Sequence, residues 1–170
     1  MYHVGLFEGV GGFSLAARWA GLQSEISCEI DEDCREVLKS NFPNTVLFED
    51  VKKLTKDDFD KILISKYGTS YGDKMLLTGG FPCQPFSYSG NRGGASDNRY
   101  LWPEMLRIIK SVRPRWVIGE NVAGLLTMVL PPEASAMGNS SYYREGVLFN
   151  IIENLVKAEY DVQTFIIPAC

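Results

Sequence analysis

Three sets of residues in this 170-residue chain have the types and spacing to do chemistry. The first is Cys83, in the run Gly79-Gly80-Phe81-Pro82-Cys83-Gln84-Pro85-Phe86-Ser87. A free thiol is usually a small buried hydrophobe. Proline on both sides, followed by a stretch rich in Gly, Ser and Asn, argues instead for an exposed turn and a nucleophile. The second is Glu120-Asn121-Val122, directly after the apolar run Trp116-Val117-Ile118-Gly119. If the strands before Cys83 and Glu120 are neighbours, a thiol and a carboxyl converge on one cleft. The single histidine, His3, lies two residues from the chain start, which disfavours a Cys-His hydrolase that needs an imidazole to activate its thiol.

The third set is a glycine-rich turn, Leu6-Phe7-Glu8-Gly9-Val10-Gly11-Gly12, between a strand-like run and a helix-like one. Glycine allows close backbone approach to a ligand, and a helix N-terminus offers free N–H groups. No Gly-Lys-Ser/Thr follows, so it is not a P-loop, and Ser14 stands where a dinucleotide fingerprint has its third glycine. Glu29, twenty residues after Gly9, is placed to accept hydrogen bonds from ribose hydroxyls. Asp50 could take an amino hydrogen of an adenine, with Phe7 and Ile30 as apolar flanks for the base. An adenosine-type ligand is expected; the spacing leaves NAD and S-adenosylmethionine both open.

The elements that must position these residues alternate. Strands are predicted at 2–7, 26–28, 46–48, 75–78, 116–119 and 162–167. Helices are predicted at 12–20, from an Asp31 or Asp33 cap to Pro43, weakly at 55–66, along the stripe Leu101, Met105, Ile108, Ile109 and Val112, and around Leu148, Ile151, Ile152 and Leu155. Residues 131–141 read as loop. Such alternation implies an α/β fold: a doubly wound, mostly parallel sheet covered by helices, with chemistry at the strand carboxyl ends.

Length suits one domain spanning residues 1–170, and 45% hydrophobic with 22% charged residues is ordinary for a globular protein. No apolar run approaches a membrane span, and the N-terminus enters a strand without a basic n-region, so a cytoplasmic location is expected. The four cysteines (28, 34, 83 and 170) are too scattered for a disulfide framework or zinc site, and no metal is expected. Net charge is −4, unevenly spread: residues 25–60 carry a net −6 and residues 83–115 a net +4, which would suit one anion-facing side.

With these residues assembled, the chain resembles the cytosine-5 DNA methyltransferases from residue 4 to residue 169. Leu6–Phe13 is similar to their cofactor-binding motif, and Gly80–Ser87 to their catalytic motif. Asp97–Trp102 resembles the segment after their mobile loop, and Glu120-Asn121-Val122 their Glu-Asn-Val motif. The resemblance implies a Rossmann-like S-adenosylmethionine-dependent fold. It places the cofactor against Phe7, Gly9 and Gly11, with Glu29 on the ribose, Ile30 and Asp50 at the adenine and Leu101 on the other side. It implies that Cys83 adds to C6 of a cytosine flipped out of double-stranded DNA, that Glu120 holds the N3/N4 edge and protonates N3, and that C5 then takes the methyl group. Pro82, Gln84, Ser87, Asn121 and Val122 would line the substrate side, and Arg92 and Arg99 would reach phosphates.

Relative to the family, Gly5 stands where an acidic residue is frequent, and the sequence ends before a Gln-x-Arg-x-Arg motif, a last antiparallel strand and the target-recognition domain. The resemblance therefore implies a catalytic part of a prokaryotic or phage enzyme, as in restriction–modification, completed by a second polypeptide or a C-terminal segment. A cofactor-binding but inactive half, and an RNA cytosine-5 methyltransferase, are the alternatives. Residues 162–167 would form an apolar sheet edge.

Overall fold

The computed structural model describes residues 1–82, 100–129 and 146–167. The chain divides into two compact units, Met1–Phe81 with Pro103–Glu120, and Pro82–Trp102 with Asn121–Cys170.

The first unit is built on a five-stranded sheet of order β3-β2-β1-β4-β5. Its strands are β1 (Tyr2–Leu6), β2 (Ser24–Cys28), β3 (Val46–Phe48), β4 (Met75–Gly79) and β5 (Trp116–Gly119). Every pairing is parallel, with β1 in register from Tyr2 opposite Met75 to Leu6 opposite Gly79. The winding runs outward from β1 to β3 and then restarts on the other side at β4. The reversal between β1 and β4 is the switch point where such sheets open a crevice at the strand carboxyl ends.

β1 and β2 are buried at every residue. β2 begins two residues before its apolar core because Ser24 and Glu25, polar in type, are bonded inside. Ser24 Oγ lies 2.8 Å from His3 Nδ1, and Glu25 accepts from Lys66 Nζ at 2.5 Å and from the Tyr67 hydroxyl at 2.7 Å.

Helices α1 (Gly12–Trp19), α2 (Glu32–Asn41), α3 (Lys56–Tyr67) and α4 (Trp102–Val112) connect the strands. Asp31, not Asp33, caps α2: its side chain accepts from the Cys34 N–H at 2.9 Å. A Thr55/Asp58 capping box starts α3, and Phe59 and Leu63, one turn apart, are fully buried. Burial of each such side chain stabilises by about 2 kcal/mol. α4 lays the stripe Met105, Ile108, Ile109 and Val112 inward.

A 3-10 turn (Tyr71–Lys74) enters β4 so tightly that a Cβ on Gly72 would lie 2.5 Å from the carbonyl oxygens of both Val112 and Arg113. Gly72→Ala should therefore lower stability by about 2 kcal/mol, the cost of overpacking against rigid backbone. Urea denaturation would measure it, and an unchanged midpoint would contradict the close approach.

In the second unit a 3-10 turn (Ala123–Thr127) packs with α5 (Val147–Lys157), where Val147 and Ile151 are buried. The Val147 N–H donates to the Met128 carbonyl at 3.0 Å. The strand predicted at 162–167 is not formed: residues 161–167 have no regular structure. Phe165, Ile166 and Ile167 are apolar enough for a strand but remain 71–83% exposed. Apolar side chains alone do not make a strand without a ladder partner, and no pairing to them is present among the described residues.

Candidate active site at the strand carboxyl ends

The sheet delivers its functional residues along one edge. β1 runs into Phe7 to Gly11, β2 into Glu29 and Ile30, β3 into Asp50, β4 into Gly80 and β5 into Glu120. Backbone bonds lash these ends together: the Glu8 N–H donates to the Cys28 carbonyl (3.3 Å), Glu29 N–H to Phe48 (3.0 Å) and Glu120 N–H to Gly79 (3.0 Å).

The glycine turn is sharply coiled. Phe7, Gly9 and Gly11 have φ of 56°, 54° and 94°. For Gly11 the residue type is required twice, since a Cβ there would also press to 2.8 Å from the Leu38 and Phe42 side chains. Phe7 adopts the same region with a side chain, at a cost of about 1–2 kcal/mol.

Glu29 is the hinge of the site. Its Oε2 accepts from the Gly9 N–H at 2.7 Å and its Oε1 from the Asp31 N–H at 2.9 Å. Each carboxylate oxygen keeps a second lone pair, so the side chain is pre-aimed and can still accept from a diol. Beside it Ile30 is 74% exposed, a large apolar side chain held out of the core. Asp50 is half-buried and accepts from the Lys52 N–H at 2.9 Å.

Two arginines missed by pattern reading hold this region. Arg35 reaches back from α2 to the carbonyls of Glu29 (3.2 Å) and Ile30 (2.5 Å). Arg107 reaches from α4 to the carbonyls of Val51 (2.8 Å) and Leu54 (2.9 Å), fixing the loop after Asp50. Arg107 contributed to the positive stretch 83–115, yet its guanidinium is engaged by protein backbone. The signal available in sequence was only its place on the helical face of α4.

Beneath the turn lies a buried polar cluster. Glu8 Oε2 accepts from the Ser14 hydroxyl at 2.7 Å, and Glu8 Oε1 has no hydrogen-bond partner among the described residues and lies 3.9 Å from His3 Nε2. His3 Nε2 is 2.8 Å from Thr78 Oγ1. Burial pushes the Glu8 carboxyl up to about 7, against the Ser14 hydrogen bond and with a further push from Glu29. Burial also lowers His3 to about 4 and raises the Cys28 thiol to about 12. His3 is thus a neutral, structural imidazole tying β1 to β2 and β4.

At the other side of the edge, Glu120 is exposed, and its Oε2 lies 3.1 Å from where a Cβ of Gly80 would stand. A side chain at 80 would displace that carboxyl. Phe81 is buried, and its ring is 3.5 Å from the Cβ position of Gly119.

In the second unit, Pro82 is exposed and its carbonyl accepts from the Leu101 N–H at 3.3 Å. There Asn121 Oδ1 accepts from the Val122 N–H at 2.9 Å, and Val122 is 63% exposed. Cys83, Gln84, Ser87, Arg92 and Arg99 lie outside the described residues. Among the described residues there is no cluster of His, Cys, Asp and Glu able to hold a metal, and no helix long and apolar enough to cross a membrane.

A parallel α/β sheet here carries a glycine turn, a strand-end glutamate and an exposed apolar side chain on one carboxyl edge, where open sheets of this kind collect ligands. The sequence family described as C-5 cytosine-specific DNA methylase matches residues 1–170, and the chain belongs to that family. Type II methyltransferase M.PspPI of a Psychrobacter species is 41% identical over 123 residues, covering 72% of this chain and 27% of that protein. Type II methyltransferase M.DdeI of Desulfomicrobium norvegicum is 32% identical over 168 residues, covering 98% and 36%. An E. coli structure described as a prophage-encoded DNA modification methyltransferase superposes with a TM-score of 0.64 at 25% identity, covering 92% of this chain and 38% of that one. A Spodoptera frugiperda DNMT2 structure (TM-score 0.60, 22% identity) shares the fold. The chain therefore spans roughly a quarter to a third of the length of these two curated relatives.

Proposed function

We propose that the chain is the cofactor-binding and catalytic part of a DNA cytosine-5 methyltransferase, moving a methyl group from S-adenosylmethionine to C5 of a cytosine. The observation that carries the reading is Glu29 at the end of β2, clamped to the Gly9 N–H at 2.7 Å, with one acceptor position left on each oxygen among the described residues. It supports a ribose diol there, with Phe7 and Ile30 flanking the base and Asp50 at its amino group. The family resemblance adds Leu101 as a further cofactor contact in this reading. S-adenosylmethionine supplies an electrophilic methyl on a sulfonium, which the protein has no group to provide.

The chain's own residues do the rest. The Cys83 thiolate adds to C6, which moves electron density to C5. Glu120 binds the N3/N4 edge and gives N3 a proton as that density develops. After methylation water takes the C5 proton, the C5–C6 double bond re-forms as the thiolate departs, and N3 returns its proton to Glu120. Pro82, Gln84, Ser87, Asn121 and Val122 border the base, while Arg92 and Arg99 meet phosphates of the duplex from which the cytosine is swung out. The Type II names of the relatives support DNA rather than RNA as substrate and a restriction–modification setting. Recognition of a particular sequence would come from a further segment or a second polypeptide.

Calorimetry with S-adenosylmethionine, and NAD as the control, tests the cofactor assignment. The protein should bind the former and not the latter. Glu29→Ala removes two charge-assisted hydrogen bonds to the diol and releases Gly9, so affinity should fall about 100-fold or more. Equal affinity of wild type and variant would refute the placement.

A further inference from the structure

The turn that would hold the cofactor contains an unexplained expense: Phe7 sits at φ 56° although it carries a side chain. Such conformations persist only where the surroundings over-determine them. What over-determines this one is the next residue. Glu8 turns inward, its side chain fully buried, between the half-buried Phe7 and Gly9. Its N–H is bonded to Cys28, its carbonyl accepts from the Gly11 N–H at 2.9 Å, and its carboxyl accepts from Ser14 in α1. The turn is thus pinned at both peptide groups and at the side chain.

The room for that carboxyl comes from Gly5. A Cβ built on Gly5 would lie 1.7 Å from Glu8 Oε1, so any larger residue at 5 expels Glu8. Glycine in the middle of a central strand costs stability and needs a packing reason; the incoming carboxyl is that reason.

We propose that Glu8 is a positioning residue for the cofactor turn, its carboxyl seated above Gly5 and anchored by Ser14 so that Phe7 and Gly9 are held in their left-handed conformations. The proposal rests on the cofactor reading given above. It also makes the turn sensitive to one proton. The groups placed against the carboxyl are Ser14 from α1 and His3 from β1, with the charge of Glu29 at the end of β2 acting on it through space. Among the described residues no cation answers it, since burial holds His3 neutral above about 4.

The sign follows from the raised carboxyl, which ionises near 7 in the folded protein against 4.5 for an ordinary glutamate. Between those values the folded state holds a proton that the unfolded chain has lost, so this contribution favours the seated turn at low pH and disappears as pH rises through 7. Above 7 the ionised carboxyl, with Oε1 unpartnered, is driven toward water and pulls on the turn.

The test is S-adenosylmethionine affinity at pH 6.0 and 8.5 for wild type, Glu8→Gln and Ser14→Ala, with melting temperatures recorded alongside. Wild type should bind about tenfold more weakly at pH 8.5 than the Gln variant does, with the two similar at pH 6.0. The ligand's own amine titrates in both proteins and cancels in the comparison. Ser14→Ala, lacking the anchor, should be several-fold weaker at both pH values. A Gln variant that follows the wild-type pH curve, or Ser14→Ala with unchanged affinity, overturns the positioning role alone. A wild type that binds no S-adenosylmethionine at either pH overturns the cofactor reading, and the positioning role with it.

Discussion

Replacing Cys83 with alanine should lower methyl transfer to duplex DNA by about 10⁴-fold or more while leaving S-adenosylmethionine affinity within a few-fold of wild type. Cytosine C5 is a poor nucleophile because its electrons are delocalised into the ring. Covalent addition at C6 is what makes it reactive, so removing the sulfur removes the route rather than slowing one step of it. None of the cofactor contacts argued for Phe7, Gly9, Gly11, Glu29, Ile30 or Asp50 involves residue 83. The two readouts therefore separate chemistry from folding. A duplex carrying fluorine at cytosine C5 sharpens the test, because fluorine cannot leave as a proton and the adduct to the protein should persist through denaturation. That adduct should form with wild type and be absent with Cys83→Ala. An adduct with the variant would mean that another group is the nucleophile.

The second large effect is expected at Glu120. Glu120→Gln preserves the shape and can still hydrogen-bond the cytosine edge, but it cannot deliver a proton to N3. Turnover should fall by about 10²- to 10⁴-fold, the usual range for loss of a positioned general acid. The geometry makes the substitution a clean one. Backbone bonding of Glu120 to the Gly79 carbonyl at 3.0 Å fixes the residue at the end of β5 whatever its side chain. The space beside Gly80 takes an amide as readily as a carboxyl. A single-turnover measurement at saturating cofactor would read the chemical step directly. A variant within a few-fold of wild type would exclude Glu120 as the acid and leave it a binding contact.

The sheet was largely legible in the sequence because its strands are short apolar runs closed by turn residues, and its helices carry plain stripes such as Met105, Ile108, Ile109 and Val112. The place of Glu29 at the end of β2, beside Gly9, was legible as well, since that spacing is a property of the strand–turn–helix–strand unit. What escaped shares one cause: the determining partner is far away in sequence. Ser24 and Glu25 look like loop residues until His3, Lys66 and Tyr67 are brought to them. Arg107 looks like part of a positive surface until the carbonyls of Val51 and Leu54 close on it. Glu8 sat inside a recognised motif with no assigned role, because its seat is made by an absence at Gly5. Residues 162–167 erred in the other direction. Their composition suits a strand, but a strand is a relation between two segments, and composition reports only one.

The order of the sheet also bears on how the chain is made. β1 lies between β2 and β4, and its second flank closes only when Met75–Gly79 have left the ribosome. At typical elongation rates of about 5–20 residues per second, the strand Tyr2–Leu6, buried throughout in the finished fold, waits several seconds for that partner. During this interval the nascent chain exposes a ready strand edge to anything that can pair with it. Yield in the cell should then depend on translation speed between codons 30 and 80 and on chaperones that shield β1, more than on any contact of the finished fold.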